Sequence, residues 1–244
     1  MDDLLITTFA ESQEIASAAD EVEKAVWSRL GFLNFSEPFV HYFDLMEQYP
    51  DYQVAVVDRK RDYVVATGNL IPLHHDDPTD LPDGGWDWAL EQAARTVGVA
   101  PNMVVGLSVS VPDAHRNRGL ARLVLGAMRN IVASKGLGTP YLPVRPTMRE
   151  QHLDVDIADY AAWRRNDGKL FDPWLRAHES VGGRMMGICH SSMVIDKPVG
   201  FWEAWSGQVY EASGDYPIAG GLAPVAIDLA RGIGTYIEPN VWYH

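Results

Sequence analysis

The chain has 244 residues, 47% of them hydrophobic and 10% aromatic, enough to bury a full core in one large domain. Its 33 acidic residues outweigh 20 basic ones for a formal net charge of −13, which argues against a nucleic-acid or anionic-membrane surface, where a basic patch is expected. The single cysteine, Cys189, excludes an internal disulfide framework and reads as a small buried apolar residue in a reducing compartment.

Leu4 to Phe9 reads as a strand. The amino terminus lacks a charged segment followed by a long apolar stretch, and no run approaches about 18 apolar residues, so a cytoplasmic location off the membrane is expected. Ser12 to Leu30 is amphipathic, with Ile15, Ala18, Ala19, Val22, Val26 and Leu30 on one face, and Gly31 ends it. Glu37-Pro38 opens a second helix that runs to Tyr49-Pro50. Tyr52 to Val57 and Tyr63 to Leu73 pair as an antiparallel hairpin across residues 58–62. His74 to Asn102 follows, with a helix from Trp86 to Val97 introduced by Asp83-Gly84-Gly85. Its His74-His75-Asp76-Asp77 run is too local to converge on one ion, and no metal is expected.

Val104 to Met128 is the most informative stretch. A strand alternates Val105, Leu107, Val109 and Val111 with Gly106, Ser108 and Ser110, and a helix repeats Leu120, Leu123, Val124, Ala127 and Met128. Between them stands Arg116-x-x-Gly119-x-Ala121. Small residues let the backbone approach a bulky anion, and the opening turn of a helix aims unpaired N–H groups and the positive end of its dipole at one point. A dinucleotide fingerprint would need Gly-x-Gly-x-x-Gly directly after the strand and an acidic residue about 20 positions on, and neither is present.

The turn resembles the signature of the GNAT acyltransferase superfamily, Arg/Gln-x-x-Gly-x-Gly/Ala between the fourth strand and third helix. The preceding order of strand, helix, helix, strand and strand is similar to the start of that fold. The resemblance implies an α/β (α+β) class: a mixed, mostly antiparallel central sheet with splayed fourth and fifth strands, flanked by helices. It implies one domain over residues 1–244, with insertions at about 74–102 and 147–171 and an extended carboxy-terminal strand region at 196–244. It also implies that backbone groups of Val109 and Val111 pair with pantetheine. The N–H groups of Asn117, Arg118, Gly119, Leu120, Ala121 and Arg122 then meet the pyrophosphate of coenzyme A, with Arg116 and Arg118 adding charge. The insertion at His74 to Asn102 is expected to cap the acceptor end of the cleft.

Beyond the helix, Lys135-Gly136-Leu137-Gly138 makes a turn and Pro140 to Pro146 a fifth strand. Thr147 to Leu170 departs from the family, with a helical segment at Asp159 to Trp163. Asp172-Pro173 caps a helix running to Gly182-Gly183. Aligning its end with the family pattern puts His178 where a tyrosine faces the thioester sulfur, which implies an imidazolium acid for the departing thiolate. Arg184 to Val194 supplies the sixth strand, Pro198 to Trp205 a short helix, and Leu222 to Ile227 is placed as the seventh strand, between strand-like runs at Tyr216 to Ala219 and Gly234 to Glu238.

The resemblance implies an acetyl group, or a longer acyl chain, moving from acetyl-CoA or another acyl-CoA to an amine of a small molecule or peptide, by direct attack. Ser108 or Ser110, Glu150 and His152 are the candidates for the base, with Ser110 and His178 taken as catalytic. Partners beyond the two substrates are not implied: no nucleic acid and no membrane, with a homodimer left open. The alternative is a non-catalytic acyl-CoA-binding or regulatory module of the same fold, kept alive by the missing Asn-x-x-Ala and Tyr signatures. A dinucleotide oxidoreductase fails on strand order and fingerprint.

Overall fold

The computed structural model describes residues 3–244. Four strands form one antiparallel sheet in chain order: β1 (Leu4–Thr8), β2 (Val54–Asp58), β3 (Tyr63–Leu73) and β4 (Met103–Ser110). β2 and most of β3 are buried on both faces, which explains their near-continuous apolar sequence. The first helix, α1 (Gln13–Trp27), starts where Ser12 Oγ accepts the Ile15 N–H at 3.1 Å, and the chain tightens into a 3-10 segment at Ser28–Phe35. A second 3-10 turn at Glu37–His41 leads into α2 (Tyr42–Gln48), so the expected second helix is split. The loop helix α3 (Gly85–Arg95) buries Trp86, Ala89, Leu90 and Ala93.

The second sheet is built around β9 (Ile233–Tyr243). One edge of β9 pairs with β6 (Met185–Pro198), and its other edge pairs with β5 (Leu142–Val144) at one end and β8 (Val225–Asp228) at the other. β7 (Gly214–Tyr216) completes the edge beyond β8. This corrects the placement of the seventh strand. Leu222 to Ile227 contains only the start of an added hairpin strand, whereas β9 lies between the fifth and sixth strands. Length decides it, because β9 has 11 residues and β8 four, and only the longer strand reaches past β8 to β5.

α4 (Leu120–Ser134) and α6 (Pro173–Ser180) cover one face together with α5 (Ile157–Ala162). On the other face lie α1, α2, α3 and α7 (Val199–Ser206), the last through the fully buried Trp202. Asp172 caps α6 as expected, accepting the N–H groups of Trp174 and Leu175. No helix among the described residues is long and apolar enough to cross a membrane.

The two sheets touch at one point. Gly106 N–H donates to Tyr141 O at 2.8 Å, Tyr141 N–H donates to Val104 O at 2.9 Å, and beyond this parallel bridge β4 and β5 part. Glycine at the apex leaves room for the facing side chain, since a Cβ at Gly106 would stand 2.7 Å from Leu142 Cδ2. The result is a V with β4 as one arm and β5 as the other.

Candidate active site

Past the apex, the β5-facing edge of β4 has no strand partner among the described residues, so its backbone groups are open to an added extended chain. Asn69 pairs with Ser108 and Leu70 with Gly106, which leaves Leu107 as the extra residue of a bulge beside the apex. Val109 sits opposite Gly68 and is half-buried, as is Val111 just beyond the strand.

The chain then turns into α4 as an anion cradle would require. Asn117 and Gly119 both take positive φ, at 61° and 77°, and no side chain caps the helix. The first intrahelical acceptor is Gly119 O, bonded by Leu123 N–H at 3.1 Å, so the N–H groups of Leu120, Ala121 and Arg122 have no partner within the helix. A Cβ at Gly119 would meet nothing within 4 Å and would project into the open space over that turn. Arg116 pairs with Asp113 at 2.8 Å and Arg118 with His115 Nδ1 at 2.9 Å, so both guanidinium groups are held at the turn, exposed and available to an anion. Leu120 is buried beneath the helix and contributes through its backbone. These residues fit a pyrophosphate.

The opposite wall of the β4 arm holds a polar cluster that the sequence reading missed. Glu23, from α1, accepts the Tyr42 hydroxyl at 3.2 Å through Oε2, and its buried Oε1 has no hydrogen-bond partner. Asn69 and Thr67 on β3 surround it, and Ser108 donates to Asn69 Oδ1. Burial pushes the Glu23 carboxyl up to about 7, with the Tyr42 hydrogen bond and the nearby, poorly aligned donors of Asn69 and Thr67 opposing the rise. A signal was available. Glu23 lies four residues after Ala19 and three before Val26, so it occupies the apolar stripe of α1 rather than its wet face.

Ser110 is fully buried on the same wall, and its hydroxyl oxygen accepts Trp27 Nε1–H at 2.8 Å. The bond fixes the β4 arm to α1 and takes one of the two acceptor positions of the Ser110 hydroxyl. His178 is only 3% exposed, edge-on to Trp174 with ring centroids 4.5 Å apart, and beside Tyr243. It lines a cavity of about 10 Å³ with Leu125, Met128 and Leu142, behind the apex of the V. Burial there, with Arg129 nearby, pushes the imidazole down to about 3. This corrects the expected imidazolium: with no carboxylate to pair it, charge at His178 costs too much to form at neutral pH.

The other candidates scatter. Glu150 is exposed, and His152 packs among Tyr160, Trp163 and Phe171. His74 and His75 each place a ring nitrogen 3.0 Å from a backbone carbonyl, those of Ala100 and Asp80. Cys189 is buried, and burial pushes its thiol up to about 12, which suits an inert packing residue.

The insertion carrying α3 is a core element rather than a flap. Trp86 stacks near Phe39 and Tyr42, and its Nε1–H donates to Leu107 O at 3.0 Å, which ties the helix to the bulge of β4. The outward side of α3 lines an open groove of about 820 Å³, with residues 34–40 and β6 as the other walls. None of the residues from 147 to 170 lines this groove; that insertion packs with α4 and α6 on the opposite face.

No protein-family model matches the sequence. The chain is 32% identical over 243 residues, 91% of its length and 80% of the relative's, to the arginine N-acetyltransferase avaD of Aspergillus versicolor. Two solved structures share the fold at 16% identity and a TM-score of 0.56. The loading GNATL domain of CurA from Lyngbya majuscula matches over 75% of this chain and 85% of its own. The GNAT-like decarboxylase GphF, solved in complex with isobutyryl-CoA, matches over 77% and 90%. The non-catalytic alternative is not favoured, since the relative that spans most of the chain is an enzyme.

Proposed function

We propose that this chain, which belongs to the GNAT superfamily of N-acetyltransferases and moves an acyl group to an amine, takes acetyl-CoA as donor and arginine or an arginine derivative as acceptor. The cradle at the α4 amino terminus carries the donor half of the reading. Unpartnered N–H groups of Leu120, Ala121 and Arg122 hold the pyrophosphate, and Arg116 and Arg118 neutralise it. The open edge of β4 from Leu107 to Ser110 orders the pantetheine arm as an added strand. Bound there, the coenzyme would supply a thioester carbonyl, and a backbone N–H of β4 would polarise it.

Arginine as acceptor rests on the relative's name, and the acidic balance of the chain favours a cationic substrate. An ammonium must lose a proton before it can attack. Glu23 takes that proton, directly or through water, because burial pushes its carboxyl up to about 7 and it lies beside Asn69, which Ser108 of β4 bonds. Tyr42 and Asn69 position it. The lone buried thiol suits a reducing, cytoplasmic setting. The test is to incubate the protein with acetyl-CoA and a panel of amines, following free thiol and product mass. Acetylated arginine or an acetylated arginine derivative is expected, and turnover of uncharged amines with none of arginine-type acceptors would reject the acceptor assignment.

A further inference from the structure

The groove between residues 34–40, α3 and β6 makes a demand that acyl transfer alone leaves unexplained. Glu37, Asp87, Glu91 and Asp196 line it against Lys197, whose ammonium lies 5.3 Å over the Phe35 ring, and Arg95 pairs with Glu91 along α3. Asp87 is 8% exposed. Its Oδ2 accepts Val194 N–H at 2.8 Å, while its buried Oδ1 has only a weak interaction with the Ser36 hydroxyl beside it, too long or too bent for a normal hydrogen bond. A buried acceptor so weakly partnered costs stability that a better donor arriving from outside would return.

We propose that this groove binds the guanidinium of the acceptor, with Asp87 Oδ1 as the anchor and Glu91 on the next turn of α3 as the second carboxylate. The inference rests on the arginine reading above and assigns residues to it. A planar cation with several N–H donors can reach Asp87 and Ser36 together, which a compact ammonium does less well. Trp88 and Phe39 supply aromatic faces in the same walls. Position agrees with the chemistry, because Asp87 directly follows Trp86, whose indole is bonded to the bulge of β4 beside the reacting end of the cleft. Burial pushes the Asp87 carboxyl up to about 7, and a guanidinium at Oδ1 would restore its charge.

The experiment compares wild type, Asp87→Asn and Glu91→Gln, in acetyl transfer to arginine and in calorimetric binding of arginine and of citrulline, its uncharged counterpart. Asp87→Asn keeps an acceptor for Val194 and removes the charge. It should raise the KM for arginine by about tenfold or more, with the KM for acetyl-CoA level. Wild type should bind arginine at least about tenfold more tightly than citrulline, and the variant should close most of that gap. Glu91→Gln, at a surface position that leaves the core intact, should raise the KM for arginine by about threefold. If wild type uses arginine and both variants match it in KM, the groove assignment is overturned and the arginine reading stands. If wild type acetylates other amines yet binds no guanidinium compound, both are overturned.

Discussion

Glu23 and His178 are buried titratable groups on helices that flank the cleft from opposite faces, and desolvation prepares only one of them for chemistry. On the α1 face, burial pushes a carboxyl up to about 7, where it can take and release a proton in neutral solution. On the α6 face, burial pushes an imidazole down to about 3, and the ring stays neutral. The common rule is that burial disfavours whichever form is charged. It turns an acid that would always be ionised into a base poised for work, and it removes from a histidine the charged form that an acid role needs. Neighbours sharpen the contrast. Glu23 faces Tyr42, Asn69 and Thr67, with Asp20 on the next turn, whereas His178 faces Trp174, Tyr243 and the cation of Arg129.

The largest effect is expected at Glu23. Glu23→Gln should lower kcat by roughly 10²- to 10³-fold at pH 7, within the range for losing a general base. In wild type, kcat/KM should rise with pH through a limb near 7 as Glu23 loses its proton, and the glutamine variant should lose that limb. Unchanged turnover would break the comparison at its catalytic end. Next comes Gly119→Val, which touches neither group. Its φ of 77° strains a β-branched residue, and the added side chain enters the space over the helix turn. The KM for acetyl-CoA should rise by roughly tenfold or more, with the pH limb where it was; a shifted limb would mean that the cradle and Glu23 are coupled.

The smallest effect on turnover is expected at His178, where a phenylalanine keeps the ring among Trp174 and Tyr243. His178→Phe should change kcat by less than about threefold, because a neutral imidazole is too weak an acid to protonate the thiolate. A loss approaching that of Glu23→Gln would restore His178 to the chemistry. Stability separates the two sites further. The folded pKa of His178 lies below its ordinary 6.5, so the unfolded chain takes up the proton first and wild type loses stability as pH falls from 6.5 towards 3, by at most roughly 1.4 kcal/mol per pH unit from this group. His178→Phe should flatten that decline in thermal melts. Glu23 has the opposite sign. Its folded pKa lies above its ordinary 4.5, so stability from the protonated carboxyl is present below 4.5 and lost as pH rises from 4.5 to about 7, and Glu23→Gln should flatten the melts within that window.

The helices, the hairpin and the anion turn were legible because each rests on local chemistry. Ser12 caps α1, Asp172-Pro173 opens α6, and the small residues after Arg116 open α4. The seventh strand was misplaced because β8 and β9 have similar patterning, and pairing partners remote in sequence chose between them. His178 was assigned a role from its spacing to Gly182, which gives its place on α6 but says nothing of its surroundings. Glu23 was visible as an acid on an apolar stripe, but its neighbours Thr67 and Asn69 come from a strand more than forty residues away.

The sequence by itself determined where the capped helices α1 and α6 begin, the alternation of the strands and the glycine turn at the start of α4, since capping, periodicity and glycine backbone freedom act over a few residues. Tertiary structure decided the rest: which strand entered between β5 and β6, that α3 became core, and which buried groups kept a usable proton. A pKa is set by the dielectric and the partners that other parts of the chain bring within a few ångströms, and burial has no local sequence signal beyond the face of a helix on which a residue falls.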